Sequence, residues 1–190
     1  MYDIIVIGGG PAGASAAIFT AKAGKKTLVL ENDQSVTKAA WLQNHYGAPD
    51  MGGPELLEVG KNQAEQFGAE FVRAEVSDLK NQGDASVKVE TDQGSYEAQR
   101  VILATGNSAK LAEAVGIKTK AGTEPRIKVV VDTDEEGRTS MSNVWAAGVV
   151  AGASVHTIIT AGDGASVAIN VLSELNGERY VDHDMLKDKK

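Results

Sequence analysis

The sequence predicts an α/β fold with a central parallel sheet, and three observations carry that prediction. Residues 4–7 form an unbroken run of Ile and Val, which is typical of a strand covered on both faces. Glycines follow at once, and residues 12–23 are rich in alanine, as expected for a helix packed closely on a sheet. A second apolar run over residues 27–30 ends at Glu31. This strand–helix–strand order indicates parallel strands joined by a crossover helix.

Apolar runs and turn residues predict the remaining elements. A helix starts at Gly53, where Pro54 suits the first turn, and stops at Gly68. Its apolar residues are expected to line one face: Leu56, Leu57, Val59, Ala64 and Phe67. A second, longer helix is predicted over residues 156–175. The predicted parallel strands cover residues 4–7, 27–30, 71–76, 101–104 and 144–147, with a small antiparallel β-meander around residues 86–98. With 190 residues, the chain is expected to form a single domain over residues 1–190, in which residues 107–124 are a polar connection.

Composition excludes several classes of partner and chemistry. The net charge of −7 argues against binding to nucleic acid or to an anionic membrane. The absence of cysteine excludes disulfides, thiolate catalysis and a dithiol relay in this chain. The three histidines do not form a metal-ligand pattern. No apolar stretch reaches the ~20 residues needed to span a bilayer, and the first strand starts at once, so we expect a soluble cytoplasmic protein.

The glycine-rich stretch predicts a dinucleotide site. Gly8, Gly10 and Gly13 are spaced as G-x-G-x-x-G, so that the first permits a tight turn, the second lets the backbone approach a pyrophosphate, and the third lets the helix lie close to the sheet. The helix N-terminus offers free N–H groups to the phosphates. Glu31, which ends the second strand, can accept both hydroxyls of an adenosine ribose. FAD and NAD both suit this pattern, and a glycine-rich turn in another α/β protein is the alternative.

Several ordered motifs resemble one known family. Besides the fingerprint and Glu31, they are Gln-Asn-His-Tyr-Gly at residues 43–47, Gly-Pro-Glu-Leu at 53–56, Val-Ile-Leu-Ala-Thr-Gly at 101–106, Val-Trp-Ala-Ala-Gly at 144–148 and Ala-Gly-Asp-Gly at 161–164. Along nearly its whole length the chain resembles the FAD domain of the thioredoxin-reductase-like pyridine nucleotide–disulfide oxidoreductases. The resemblance implies a Rossmann-like FAD-binding domain, FAD as the cofactor, and a homodimer. The cofactor-binding residues that it implies are Gly8, Gly10, Pro11, Ala12, Gly13, Glu31, Asn44, Val76, Ala104, Thr105, Gly106, Gly148, Val149, His156 and Thr157.

The chain departs from that family in one whole domain. In the family, an NADPH-binding domain with a second glycine fingerprint and a C-x-x-C pair is inserted after the Ala-Thr-Gly strand. Here only residues 107–124 occupy that gap, and the chain has neither a second fingerprint nor a cysteine. We therefore expect a FAD domain that lacks the NADPH domain and cannot perform dithiol chemistry.

A second departure concerns the flavin. The family usually has Ala-Gly-Asp after the last strand, and its Asp holds the ribityl chain. Val149 stands at that position and offers only its backbone. Losing one charge-assisted hydrogen bond typically costs ~1.5–3 kcal/mol, or roughly one to two decades in affinity. The sequence therefore predicts that FAD binds, but less tightly.

Other polar residues lie near the expected flavin, and the two histidines among them have two interpretations each. His156 could stabilise negative charge on a reduced flavin, or could be a helix N-terminal residue bonded to the backbone. His45 could carry a proton, or could pack beside Trp41 and Tyr46. Asn44 is expected to serve the flavin through its amide. Asp163 is assigned to the helix or to a dimer contact, and not to the flavin.

Two function classes remain open at this stage. The first is a small flavoprotein oxidoreductase that receives electrons from NAD(P)H or from a redox protein partner, with the flavin supplying the chemistry. The second is a non-catalytic FAD-binding module, either a redox sensor or a subunit of a partner complex. Fold analogy does not decide between them.

Overall fold

A mixed sheet organises the chain, and the computed structural model describes residues 1–83, 85–182 and 184–186. Four helices occur in these residues: α1 (Pro11–Lys22), α2 (Gly53–Gln66), α3 (Lys110–Ala114) and α4 (Thr157–Asn176). The strands are β1 (Tyr2–Ile7), β2 (Thr27–Glu31), β3 (Trp41–Leu42), β4 (Met51–Gly52), β5 (Glu70–Arg73), β6 (Val76–Asn81), β7 (Val87–Thr91), β8 (Gly94–Leu103), β9 (Thr119–Ala121), β10 (Val129–Val131) and β11 (Val144–Ala146). Short 3-10 turns cover Val36–Ala39 and Gly148–Ala151.

The predicted parallel sheet is confirmed. Strand β1 pairs in parallel with β2 and β8, β2 pairs with β5, and β11 pairs with β8, so that the parallel order is β5-β2-β1-β8-β11. Strands β6, β7 and β8 form the predicted antiparallel meander. Because β8 belongs to both parts, the described residues form one seven-stranded sheet.

Two predicted strand boundaries are wrong. Residues 71–76 do not form one strand, because the chain leaves the sheet edge after β5 and enters the meander as β6. The Ala74 N–H donates to the Glu31 carbonyl at 3.0 Å, and the Glu75 N–H donates to the Asp92 carboxylate at 2.8 Å, which fixes this corner. The hairpin partner predicted before residue 101 and the buried strand after it are one ten-residue strand, β8.

The two faces of the sheet bury alternate side chains. Ile4, Val6 and Ile102 point to the face covered by α1 and α4, together with the buried alanines of α1. Ile5 and Leu103 point to the face covered by the meander and α3. The unbroken apolar run in β1 is therefore explained by burial on both sides of a parallel strand.

Helix α2 does not bury the whole face that its periodicity predicts. Ala64 is fully buried, and Leu56 and Leu57 are half-buried. Val59 and Phe67, which were expected on the same face, are 41% and 45% exposed. The helix packs mainly through its small residues, and part of its apolar face remains at the surface.

Residues 107–124 contain only two short elements, α3 and β9. Strand β9 pairs with β10 in a small antiparallel ribbon. The segment begins just after β8 leaves the sheet at Ala104, and it ends between the two strands of this ribbon.

Candidate cofactor site

A cavity of about 460 Å³ lies at the carboxyl ends of the parallel strands. Gly8 follows β1, Glu31 ends β2, Ala104 follows β8, and Ala147 follows β11, and all four line the cavity. Ligands of open α/β sheets bind in the crevice at this edge, where loops from several strands converge.

The turn between β1 and α1 presents backbone N–H groups to this cavity. Pro11 is the first residue of α1 and lacks an N–H, and the N–H groups of the next residues precede the first intrahelical bond, Ala14 N–H to the Gly10 carbonyl at 2.8 Å. A Cβ atom on Gly13 would lie 1.8 Å from the Gly8 carbonyl oxygen, so only glycine lets the helix start this close to the strand. The arrangement suits an anionic group such as a pyrophosphate.

One end of the cavity is polar. The Glu31 side chain lies against Gly9, where an added Cβ would be 3.2 Å from the Glu31 Cβ. Its Oε2 accepts the Asp33 N–H at 3.1 Å, and the other carboxylate oxygen can accept from a ligand hydroxyl. Asn32 donates to the Glu75 carboxylate at 2.8 Å and closes this end.

The other end is apolar. Ile127, Val149 and Val155 line it, together with Thr160. Glu124 links Ile127 to Val155. Its backbone carbonyl accepts the Ile127 N–H at 3.0 Å, and its side chain accepts the Val155 N–H at 3.2 Å. An elongated ligand with one polar and one apolar end matches this division.

Most of the predicted cofactor residues converge on the cavity, and five do not line it. Gly13 and Gly148 are buried behind the wall, and Asn44, His156 and Thr157 lie away from it. Those that line the cavity are Gly8, Gly10, Pro11, Ala12, Glu31, Val76, Ala104, Thr105, Gly106 and Val149.

The residues near the start of α4 bond to one another and not to the cavity. The His45 Nδ1 lies 2.9 Å from the hydroxyl of Thr157, the first residue of α4, and burial lowers the pKa of His45. The His156 Nδ1 lies 2.9 Å from the Ser154 hydroxyl. The Ser154 hydroxyl also donates to the Glu124 carboxylate at 3.3 Å. Asn44 is exposed.

Sequence reasoning missed the contribution of the connection. Lys110 and Leu111 of α3 line the cavity, as does Ile127 after it. It also set aside Asp163, whose carboxylate accepts the Gly148 N–H at 2.6 Å, next to Val149. One sequence feature could have drawn attention to Asp163, because it is the only charged side chain between residues 157 and 173.

Two other kinds of feature are absent from the described ranges. No three or more His, Asp or Glu side chains in that part of the chain are grouped so as to hold a metal ion. His183 lies outside the described residues. Across the same residues, no helix combines the length and the apolarity that crossing a membrane requires.

Relatives in sequence are thioredoxin reductases. The protein from Aquifex aeolicus is 41% identical over 110 residues, which is 56% of this chain and 34% of that protein. The protein from Peptoclostridium litorale is 38% identical over 129 residues, 64% of this chain and 40% of that protein. The chain thus spans two fifths or less of the length of these curated relatives.

Solved structures share the fold. A thioredoxin reductase from Gloeobacter violaceus matches with a TM-score of 0.81 at 20% identity, covering 97% of this chain and 98% of that chain. An atypical thioredoxin reductase from Desulfovibrio vulgaris Hildenborough matches with a TM-score of 0.82 at 19% identity, covering 94% of this chain and 99% of that chain.

The family model for pyridine nucleotide-disulphide oxidoreductases matches residues 2–127 and, in a second alignment, residues 53–165. Together these matches cover most of the chain. The chain therefore belongs to the pyridine nucleotide-disulphide oxidoreductase family.

Proposed function

We propose that the chain binds FAD in the cavity at the carboxyl ends of the sheet and acts as a flavoprotein oxidoreductase without dithiol chemistry. The observation that carries the proposal is the division of the cavity into a polar and an apolar end on either side of the α1 N-terminus. The adenosine of FAD would bind at Glu31, its pyrophosphate at the Gly8–Pro11 turn, and its ring system among Ile127, Val149 and Val155.

The apolar end favours FAD over NAD. Both dinucleotides share the adenosine and pyrophosphate that the polar end and the glycine turn accommodate. Only FAD has a large tricyclic ring, whose dimethylbenzene end is apolar and suits a wall of Ile and Val.

We further propose that residues 107–124 stand in place of an inserted nicotinamide domain. The segment contains one helix of five residues and one strand of three, and it joins β8 to the β9–β10 ribbon. Its helix supplies Lys110 and Leu111 to the cavity wall. The electrons would then come from free NAD(P)H or from a redox protein partner.

Bound FAD would supply the redox chemistry, taking up electrons from a donor and passing them to an acceptor. The chain would contribute position and electrostatics. Its backbone N–H groups at the α1 N-terminus would face the phosphates, and Glu31 would orient the adenosine. The apolar side chains of Ile127, Val149 and Val155 would exclude water from the flavin ring. The described residues of the cavity include no cysteine, because the chain has none.

Val149 favours a second candidate function, a non-catalytic FAD-binding module. A valine at this position cannot hold the ribityl chain by a charge, so the flavin half would be bound less firmly than the adenosine half. A redox sensor or a subunit of a partner complex needs a bound flavin but no rapid turnover.

We also propose a homodimer. A cleft formed by α1, α2 and α4 is lined by Leu56, Leu57, Val59 and Ala161, and Ile158 and Ile159 at the start of α4 are 37% and 48% exposed. We call Leu56, Leu57, Val59, Ile158 and Ile159 the α2–α4 patch. A contiguous apolar surface of this kind is a common site of self-association.

Purification followed by reduction tests these proposals. The protein is expected to carry flavin absorbance, and NADH or NADPH added without oxygen should bleach it if the chain is an oxidoreductase. Flavin that binds without bleaching under either nucleotide would exclude NAD(P)H as the donor and leave a redox protein donor or the non-catalytic module. Adding FAD at a hundred times its Kd should stabilise the apoprotein by about 2.7 kcal/mol, or roughly 5–11 °C in Tm. Release of NAD on heating, or no stabilisation by FAD, would refute the cofactor assignment.

A further inference from the structure

Asp163 does not line the cavity, but its carboxylate reaches a turn that does. Its Oδ2 accepts the Gly148 N–H at 2.6 Å. Gly148 begins the 3-10 turn that follows β11, and the next residue, Val149, is part of the cavity wall. The bond thus joins α4 to the loop that shapes the apolar end of the cavity.

The turn at Gly148 has a conformation that needs fixing. Its φ is +78°, in the left-handed region, and a Cβ on Gly148 would lie 2.7 Å from the Ala12 Cβ. The turn is therefore pressed against the first residues of α1, whose N–H groups face the phosphates in the proposed function. A shift of Gly148 would displace Val149 and Ala12 together, and both line the cavity.

The usual structural reasons for a carboxylate in a helix do not account for Asp163. It is the seventh residue of α4, which begins at Thr157, and so lies beyond the first turn in which the helix dipole stabilises negative charge. Within the described residues it forms no ion pair with a Lys, Arg or His. Burial raises the pKa of Asp163, and the bond from the Gly148 N–H opposes that rise. Partial burial of a carboxylate costs free energy, because the charge loses water. The bond from a single backbone amide offsets only part of that cost, so the use of Asp163 here is explained best by the need to hold that amide.

We propose that Asp163 is a positioning residue for the cofactor site: it fixes the Gly148–Val149 turn against the start of α1. The inference rests on the proposed function, because the site that it positions is the proposed FAD site. The bond from the Gly148 N–H to Asp163 that carries the inference involves no cofactor atom.

Two substitutions of Asp163 distinguish the effect of its hydrogen-bond acceptor from the effect of its negative charge. Asp163→Asn keeps an oxygen that can accept the Gly148 N–H, whereas Asp163→Ala removes it. Titration of the apoprotein with FAD should give an affinity for Asp163→Asn within about threefold of the wild type, and an affinity for Asp163→Ala at least tenfold weaker. Glu178→Ala is the matched control, since it removes one negative charge from an exposed position outside α4 and should leave the affinity unchanged.

The Gly148 amide gives a readout that does not depend on the cofactor. Hydrogen exchange measured by NMR on the apoprotein should show this amide protected in the wild type and in Asp163→Asn, and exchanging at least tenfold faster in Asp163→Ala. Equal FAD affinity in the wild type and Asp163→Ala, equal exchange at Gly148, or an Asn variant no better than the Ala variant would overturn the inference. If the wild type binds no FAD, the proposed function fails, and the exchange rates at Gly148 still decide whether Asp163 holds the turn.

Discussion

The carbonyl oxygen of Gly8 occupies the space in which a side chain at Gly13 would begin. The distance from that oxygen to a Cβ placed on Gly13 is 1.8 Å, far inside van der Waals contact. The end of strand β1 and the start of helix α1 are thus in direct backbone contact. This contact sets how far the helix N–H groups project into the cavity.

Gly13→Ala should weaken FAD binding more than a hundredfold or prevent folding, because the added methyl group must push α1 away from β1. FAD titration and a thermal melt of the apoprotein distinguish these two results. Gly162→Ala is the control: it lies in α4 with open space at its Cβ, and it should raise stability by about 0.4–1 kcal/mol. Normal FAD binding by Gly13→Ala would contradict the close approach seen here.

The parallel core could be predicted from sequence because its signals are local. The apolar runs in β1 and β2 are continuous, since both faces of those strands are buried, and the glycine spacing fixes where α1 starts. The boundaries of β5, β6 and β8 were not predictable in the same way. The chain turns from β5 to β6 because of bonds from Ala74 to Glu31 and from Glu75 to Asp92, which are remote partners in sequence.

The residues that line the cavity with their backbone could be predicted from the sequence. The residues whose side chains reach the cavity were harder to predict. Gly8, Gly10 and Ala104 follow strands whose ends must meet at one edge of the sheet. Whether His156 or Asn44 points into the cavity depends on the path of a loop and on bonds such as that from Ser154 to Glu124, which lies thirty residues away in sequence. Asp163 was set aside for the same reason, because its partner, Gly148, lies fifteen residues away.

Glu31→Ala should weaken FAD binding by roughly ten- to a hundredfold, because it removes the carboxylate oxygens that can accept the ribose hydroxyls. The variant also loses the bond from the Asp33 N–H. Glu31→Gln keeps one acceptor and should lose less. Glu58→Ala, which removes an exposed carboxylate of α2 outside the cavity, is the control and should bind as the wild type. A Glu31→Ala affinity within twofold of the wild type would rule out the ribose assignment.

Stability should fall below neutral pH in part because of His45. Burial lowers its pKa in the folded chain, so the unfolded chain binds the proton more readily. The contribution of neutral His45 to the free energy of unfolding is fully present above the unfolded pKa of about 6.5. This contribution is lost as the pH falls through the lower pKa of the folded chain. Thermal melts should therefore show a smaller loss of Tm between about pH 7.5 and 5.5 in His45→Gln than in the wild type. The exposed His156→Gln serves as control, and an unchanged pH dependence in His45→Gln would contradict the prediction.

Light scattering should give a mass near twice the chain mass of 19.9 kDa at micromolar concentration, if the α2–α4 patch pairs with a second copy. Ile158→Glu places a charge in that patch and should yield monomers. Val181→Glu changes another exposed apolar residue outside the patch and should leave the dimer intact. A wild-type mass near that of one chain would count directly against the homodimer.

Val149→Asp should tighten FAD binding, and it tests the proposed pose most directly. Val149 lines the apolar end of the cavity beside Thr160, at the position where the family usually has the aspartate that holds the ribityl chain. A carboxylate there would restore one charge-assisted hydrogen bond, worth roughly ten- to a hundredfold in affinity. The gain should lie near tenfold, because the new carboxylate loses water and stands close to Asp163, which is bonded to the neighbouring Gly148.

Val149→Asn gains an acceptor without a second negative charge, and its affinity for FAD is expected to fall between those of the wild type and the aspartate variant. If the valine instead fills space beside a ribityl chain that is bonded elsewhere, the aspartate would bring no gain. Titration of the apoproteins with FAD compares the three, and equal or weaker binding by Val149→Asp would show that the ribityl chain does not pass this residue.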